Sequence, residues 1–149
     1  MDEPAGEGLQ WVDLALRRVV LREGQNQQWI YLAERASSDA GPPRGFPIVI
    51  GTQEAVEIQR VLQGERSERP LTHQLALGVV EALGGRLIGV EINGLRNNTY
   101  FARLVLQKPD GSAVRVDARP SDALALGLRA GAKISIPDDL LEQLRADES

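Results

Sequence analysis

The chain has 149 residues, a net charge of −4, 42% hydrophobic residues and no cysteine. This length suits a single domain that buries roughly two thirds of its unfolded surface. The lack of cysteine excludes disulfides, a thiolate nucleophile and a cysteine-based zinc site, and it is typical of a reducing compartment. Because the average surface repels polyanions, binding to nucleic acid requires a local basic face or bridging cations.

No apolar run approaches the roughly 20 residues that span a bilayer. The first residues, "MDEPAGEGLQ", lack a basic region followed by an apolar core. We therefore expect a cytoplasmic protein that does not contact membranes, with a flexible N-terminus at 1–9 and one domain at 10–146.

The first third of the chain reads as a hairpin, a loop, a strand and a helix. The hairpin strands are "LQWVDLALRRVVL" (9–21) and "QQWIYLAER" (27–35), and "ASSDAGPPRG" (36–45) is predicted to be the most mobile loop. "FPIVI" (46–50) is a short buried strand, after which "TQEAVEIQRVLQGE" (52–65) forms a helix. The predicted buried face of that helix holds Ala55, Ile58, Val61 and Leu62.

A second helix is predicted within "SERPLTHQLALGVVEALGG" (67–85), with Thr72 as its N-cap and Gly84-Gly85 as its stop. Its predicted buried stripe holds Leu75, Val79, Val80 and Leu83. Three strands follow as a meander: 86–92, then a turn at "NGLRNN" (93–98), 99–107, the turn "KPDG", and 112–118.

The end of the chain predicts a helix opened by "RPSD" (119–122), the strand "AKISIP" and a closing helix "DDLLEQLRA" with Pro137 in its first turn. These elements indicate an α+β fold in which helices pack on a mixed or antiparallel sheet. "IVIGTQEAVEI" and "RVDARPSDALAL" share the order strand, turn, acid, alanine, helix. If the two are related units, Glu54 and Asp122 occupy equivalent helix starts near a pseudo-twofold axis.

The junction "VDARPSDALALGLR" (116–129) admits two interpretations. Local structure accounts for much of it: Val114 and Val116 form a buried strand face, and Ser121 and Asp122 supply oxygens to helix N–H groups. Asp117 and Arg119 beside Asp122 are either a buried ion pair or part of a site at the edge of the sheet.

This stretch, together with "FPIVIGTQEAVEI", "RPLTHQL" and "NTYFARLVL" in that order, resembles the bifunctional nuclease family over about residues 10–141. The resemblance implies an α+β domain that self-associates, commonly as a dimer, and DNase and RNase activity. The chain departs from the family's Thr-His-Asp, because it reads Thr72-His73-Gln74. A carboxylate beside the single histidine is therefore missing.

Phosphodiester hydrolysis without cysteine or a histidine cluster points to a divalent metal, Mg²⁺ or Mn²⁺, held by carboxylates. The candidate metal ligands are Asp117 and Asp122. The wider catalytic set is Asp122, Asp117, Glu54 and His73, and the phosphate-binding candidates are Arg119 and Arg69. Glu91 is a further acid, but its strand position favours a solvated face.

A non-catalytic oligomeric module that binds a protein or nucleic acid is the alternative function. The acidic balance, Gln74 and the lack of a D-x-D or H-E-x-x-H pattern favour it. Convergence of Glu54, Asp117, Asp122 and Arg119 in one cleft would favour hydrolysis instead.

Overall fold

A computed structural model describes residues 9–35, 41–65 and 67–148, so most of the predicted N-terminal segment and residues 36–40 of the predicted loop lie outside the described residues. No helix in these ranges is long and apolar enough to cross a membrane. The elements in chain order are β1 (Trp11–Val20), β2 (Gln27–Glu34), β3 (Gly45–Gly51), α1 (Thr52–Leu62), α2 (Thr72–Ala82), β4 (Arg86–Arg96), β5 (Thr99–Gln107), β6 (Ala113–Ala118), α3 (Pro120–Ala130), β7 (Lys133–Pro137) and α4 (Asp138–Glu148).

The strands form one mixed sheet in the order β3-β2-β1-β7-β4-β5-β6. All neighbours are antiparallel except β4 and β7, and β1 pairs with β7 to join the two halves of the chain. The sheet curls so that β3 and β5, which are not neighbours in it, approach each other: the rings of Phe46 on β3 and Tyr100 on β5 stack with their centroids 5.8 Å apart. The predicted α+β class and mixed sheet are therefore confirmed.

Helix α3 lies against the concave face of this sheet. It contacts β3, β4, β5 and β7, and it also contacts α1 and α2. Its small side chains permit close packing: Ala123 and Ala125 are fully buried, and a Cβ added at Gly127 would lie 2.5 Å from Cγ2 of Val90. Burial of α3 on nearly all sides, which its composition predicts, is thus observed.

Several predicted boundaries differ from the structure. The turn predicted over 93–98 is reduced to Asn97 and Asn98, whose positive φ values of 51° and 62° suit a tight hairpin, so β4 extends to Arg96. Thr72 is the first helical residue of α2, and Leu71 is its N-cap. Pro137 ends β7 and does not lie in the closing helix.

The predicted buried face of α2 is wrong. Leu75, Val79 and Leu83 are 58%, 50% and 75% exposed, and Leu77 is the buried residue of the helix. Because "THQLALGVVEA" is apolar on almost every side, its periodicity does not select which side faces α3 and β4. Likewise Leu62 in α1 and Val114 and Val116 in β6 are exposed, where the sequence predicts burial.

An ion-pair network fastens the segment before β3 to two other elements. Arg44 contacts Glu34 of β2 at 2.8 Å, and Asp138 and Glu142 of α4 at 2.8 and 2.9 Å. The hydrogen bond from Arg44 lowers the pKa of Glu34, and the bond to Glu34 raises the pKa of Arg44. The ionised pair therefore stabilises the fold where both groups are charged.

Replacement of Gly127 by alanine should destabilise the protein by about 1 to 3 kcal/mol, because the added methyl overlaps Val90. Gly78 in α2 provides the matched control, since nothing lies within 4 Å of its added Cβ. Gly78→Ala should raise the free energy of unfolding by up to about 1 kcal/mol through helix propensity. Urea unfolding measures both, and equal effects would contradict the close packing of α3.

Replacement of Glu34 by glutamine should destabilise the protein at neutral pH and have less effect as the pH falls. A carboxyl with a lowered folded pKa contributes stability above its ordinary value of 4.5 and loses it as the pH falls through the folded pKa. The difference in unfolding free energy from wild type should therefore shrink from pH 6 towards about pH 2. Glu23→Gln, at an exposed turn residue, should change stability little at any pH.

Candidate functional site

The starts of α1, α2 and α3 meet in one charged cluster. His73 Nε2 lies 2.8 Å from Asp122 Oδ1, and Arg119 Nη2 lies 2.9 Å from Asp122 Oδ2. The same Nη2 atom is 3.6 Å from Oε2 of Glu54. The structure therefore brings together four of the six predicted site residues, contributed by three helix starts.

The two acids occupy matching positions in their helices. Glu54 is the third residue of α1 and Asp122 is the third residue of α3, and each helix follows an edge strand of the sheet, β3 or β6. Neither helix has a side-chain cap hydrogen bond. The predicted cap by Ser121 and Asp122 is not observed, because the Asp122 oxygens contact the imidazole of His73 and the guanidinium of Arg119 instead.

Asp122 supplies the carboxylate that the Thr72-His73-Gln74 stretch lacks. A carboxylate oxygen only accepts hydrogen bonds, so Nε2 of His73 carries the proton that it donates to Asp122. Gln74 has a local role instead, since its Oε1 accepts the backbone N–H of Leu71 at 3.3 Å. An acid distant in sequence thus takes the place beside the histidine.

Arg119 keeps its positive charge at the mouth of the cluster. Its hydrogen bond to Asp122, the charge of Asp122 and, more weakly, the charge of Glu54 raise its pKa. The Arg119 side chain is 69% exposed, whereas those of Glu54 and His73 are 14% and 17% exposed. A solvent-facing guanidinium is thus backed by shielded partners, an arrangement in which it meets an incoming anion first.

The cluster lines a cleft of about 650 Å³ between α1, the start of α2 and the start of α3. At its base the buried carboxylate of Glu57 binds Arg129 at 2.7 Å and Arg60 at 3.4 Å. Sequence reasoning missed these three residues. For two of them a signal exists: Glu57 and Arg60 follow Glu54 at intervals of three residues, which places all three on one side of α1.

A second cleft, of about 520 Å³, adjoins the first. Its walls include the half-exposed ring of Trp29 and also Tyr100 and Ser121. Arg119 lines both clefts, so it stands between a polar cleft and one with aromatic walls. Trp29 was not among the predicted site residues.

Three of the acids and bases considered from sequence lie elsewhere. Asp117 is exposed on β6, opposite Arg103 of β5, and Arg69 is exposed in the segment before α2; neither side chain makes a hydrogen bond or ion pair with another described residue. Glu91 binds Arg103 at 2.7 Å and Arg115 at 3.1 Å and is only 13% exposed. The predicted solvated position of Glu91 is therefore wrong.

The donor set does not form a prepared divalent-metal site. Within residues 9–35, 41–65 and 67–148, no three histidine, aspartate or glutamate side chains lie close enough together to hold an ion. Both oxygens of Asp122 are engaged, and the guanidinium of Arg119 occupies the space between Asp122 and Glu54. We therefore derive no chemical step through a metal from this geometry.

A curled mixed sheet around a central helix, with acid, base and guanidinium groups at one cleft, defines an α+β protein with a polar candidate site. The chain matches the bifunctional nuclease domain over residues 37–149, and it belongs to that family. It is 37% identical over 132 residues to the uncharacterized proteins MT1877 (strain CDC 1551 / Oshkosh) and Rv1829 (strain ATCC 25618 / H37Rv) of Mycobacterium tuberculosis. Each match covers 87% of this chain and 75% of the relative.

The His73–Asp122 contact should be measurable as an energetic coupling between α2 and α3. In a double-mutant cycle of His73→Ala and Asp122→Ala, we expect the two losses of stability to be non-additive by about 0.5 kcal/mol or more. The cycle of His73→Ala with Asp117→Ala is the control, because Asp117 has no bond to the cluster. Additivity in both cycles, measured by urea unfolding, would contradict the contact.

Proposed function

We propose that this protein hydrolyses phosphodiester bonds of nucleic acid in the cleft formed by α1, α2 and α3. The observation that carries the proposal is the Asp122–His73 hydrogen bond beside the exposed guanidinium of Arg119. Membership of the bifunctional nuclease domain family supports the same reaction class.

The Asp122–His73 pair suits general acid–base chemistry. A carboxylate that accepts the proton of one ring nitrogen orients the imidazole and stabilises its protonated form. Because Nε2 donates to Asp122, Nδ1 is the nitrogen that takes a proton from the attacking water. The water oxygen bonds to phosphorus, the P–O bond to the leaving oxygen breaks, and that oxygen receives the proton that Nδ1 of His73 has taken from the water.

Arg119 is the proposed phosphate ligand. Guanidinium groups bind phosphate oxygens through paired charge-assisted hydrogen bonds, and Arg119 is the exposed cation of the cluster. Since Arg119 also borders the cleft lined by Trp29, a phosphate bound there leaves an adjoining nucleobase next to an aromatic ring.

A divalent metal that enters with the substrate is a further part of this proposal. Asp117, one of the two predicted ligands, lies on β6 outside the cluster contacts, and the other, Asp122, already has two partners. In this scheme an ion that enters with the phosphate would supply charge neutralisation, and the protein groups would perform the steps described above.

A second candidate function is a non-catalytic binding module. The charges of the cleft balance, because Glu54, Asp122 and Glu57 face Arg119, Arg60 and Arg129. A balanced cleft offers little net attraction to a polyanion, and such pairing also holds α1 and α3 together.

A nuclease assay on single-stranded DNA, duplex DNA and RNA tests the two functions, with Mg²⁺, with Mn²⁺ and with chelator. Asp122→Asn and His73→Gln should each lower the cleavage rate about 100-fold or more, because each removes the oriented base. Asp139→Asn should cleave as wild type does, because Asp139 also lies in the first turn of a helix but is exposed and outside the cleft.

Circular dichroism confirms the folding of each variant. Loss of cleavage in Asp117→Asn together with loss in chelator would favour the metal-ligand hypothesis. If wild type cleaves none of the substrates under any condition, or if the cleft variants cleave as fast as Asp139→Asn, hydrolysis at this cleft is wrong and the binding module is favoured.

A further inference from the structure

Within the part of the chain that the structure describes, no strand pairs with the outer side of the edge strand β6. It is the last strand of the sheet, and it pairs with β5 over all of Ala113–Ala118 without a register shift. Edge strands are usually protected by proline, a bulge or a covering element. The opposite edge, β3, contains Pro47, whereas β6 has neither proline nor bulge, and it exposes Val114 and Val116 at 40% and 42%.

We propose that β6 pairs antiparallel with β6 of a second copy of this chain, with Val116 at the twofold axis. A twofold axis perpendicular to the sheet keeps each face of the sheet on the same side in both copies. Residues directly opposite each other in antiparallel strands share a face, so such a register must be centred on a residue. The inference does not depend on the proposed hydrolysis.

The charges of β6 select this register. With Val116 at the centre, Arg115 lies opposite Asp117 of the second copy, and Asp117 lies opposite its Arg115. With Arg115 or Asp117 at the centre, that residue would meet its own copy, and like charges directly opposite each other are destabilising. With Val114 at the centre, Arg115 would face Ala113 and gain no partner. The strand is therefore complementary to itself in one register.

On the face of the sheet that carries Arg115 and Asp117, two arginine side chains share one carboxylate. Among the described residues, Glu91 is the one carboxylate that binds Arg103 and Arg115. Arg103 is 7% exposed, and its Nη2 has no hydrogen-bond partner among the described residues. The side chain of Asp117 likewise has no partner within the described residues, and the side chain of Arg115 is 44% exposed. Pairing of two copies would give Asp117 a partner of opposite charge, and it would give Arg115 a second carboxylate besides Glu91.

The absence of cysteine permits a direct test by disulfide cross-linking. Opposite residues in an antiparallel pair have Cα atoms about 4.5 to 5.5 Å apart, within the range of roughly 4.4 to 6.8 Å that a disulfide spans. Val116→Cys should form a covalent dimer under mild oxidation, seen on a non-reducing gel and reversed by reductant.

Two matched cysteine variants serve as controls at other exposed apolar residues. Val114 would face Ala118 of the second copy, so the two cysteines of Val114→Cys would be separated by four residues along the strand, about 13 Å. Leu75→Cys probes the exposed face of α2. Val116→Cys should cross-link at least tenfold faster than either control, and a faster reaction at Leu75→Cys would overturn the proposal in favour of α2.

Charge at the axis provides an independent test. Val116→Lys and Val116→Glu each place like charges opposite each other, so each variant alone should be monomeric in analytical ultracentrifugation while wild type is dimeric. A mixture of the two should form a heterodimer, because lysine then faces glutamate. A monomeric wild type, or a Val116→Lys variant that dimerises as wild type does, would overturn the pairing.

Discussion

The close approach of α3 to the sheet is the constraint on which the rest of the structure depends. Gly127 touches Val90 with no room for a side chain, and this contact limits where the helix lies along the concave face. With α3 held there, its first turn lies against the starts of α1 and α2. The positions of Arg119 and Asp122 are therefore consequences of core packing, and the cluster they form costs little further chain ordering.

The charges at those helix starts then determine which partners the acidic side chains contact. Acids in a first helical turn are ordinarily explained by unpaired N–H groups and the helix dipole. Here the side chains of Glu54 and Asp122 turn to Arg119, and Asp122 also binds His73, so one guanidinium serves two helices. Polar groups held this way are oriented before any ligand arrives.

Much of this could be predicted from sequence, and the failures have physical causes. Strand alternation and turn residues predicted the strands of the hairpin and of the meander within a few residues. The similar junctions after β3 and β6 pointed to Glu54 and Asp122. Periodicity did not reveal which side of α2 is buried, because its apolar residues surround the helix. It also did not reveal that Glu91 is shielded, since Arg103 and Arg115 reach it only across neighbouring strands.

The unit formed by β6 and α3 combines two surfaces of different character. Along β6 the side chains alternate between exposed valines and the charged pair Arg115 and Asp117, which suits recognition of an identical strand. Beginning with Arg119, the chain turns into the helix whose start carries the cluster. Asp117 and Asp122 are five residues apart, yet the strand-to-helix turn places them on separate surfaces. An acid near a site in sequence is thus not evidence for a shared ion, because each carboxylate follows the element to which it belongs.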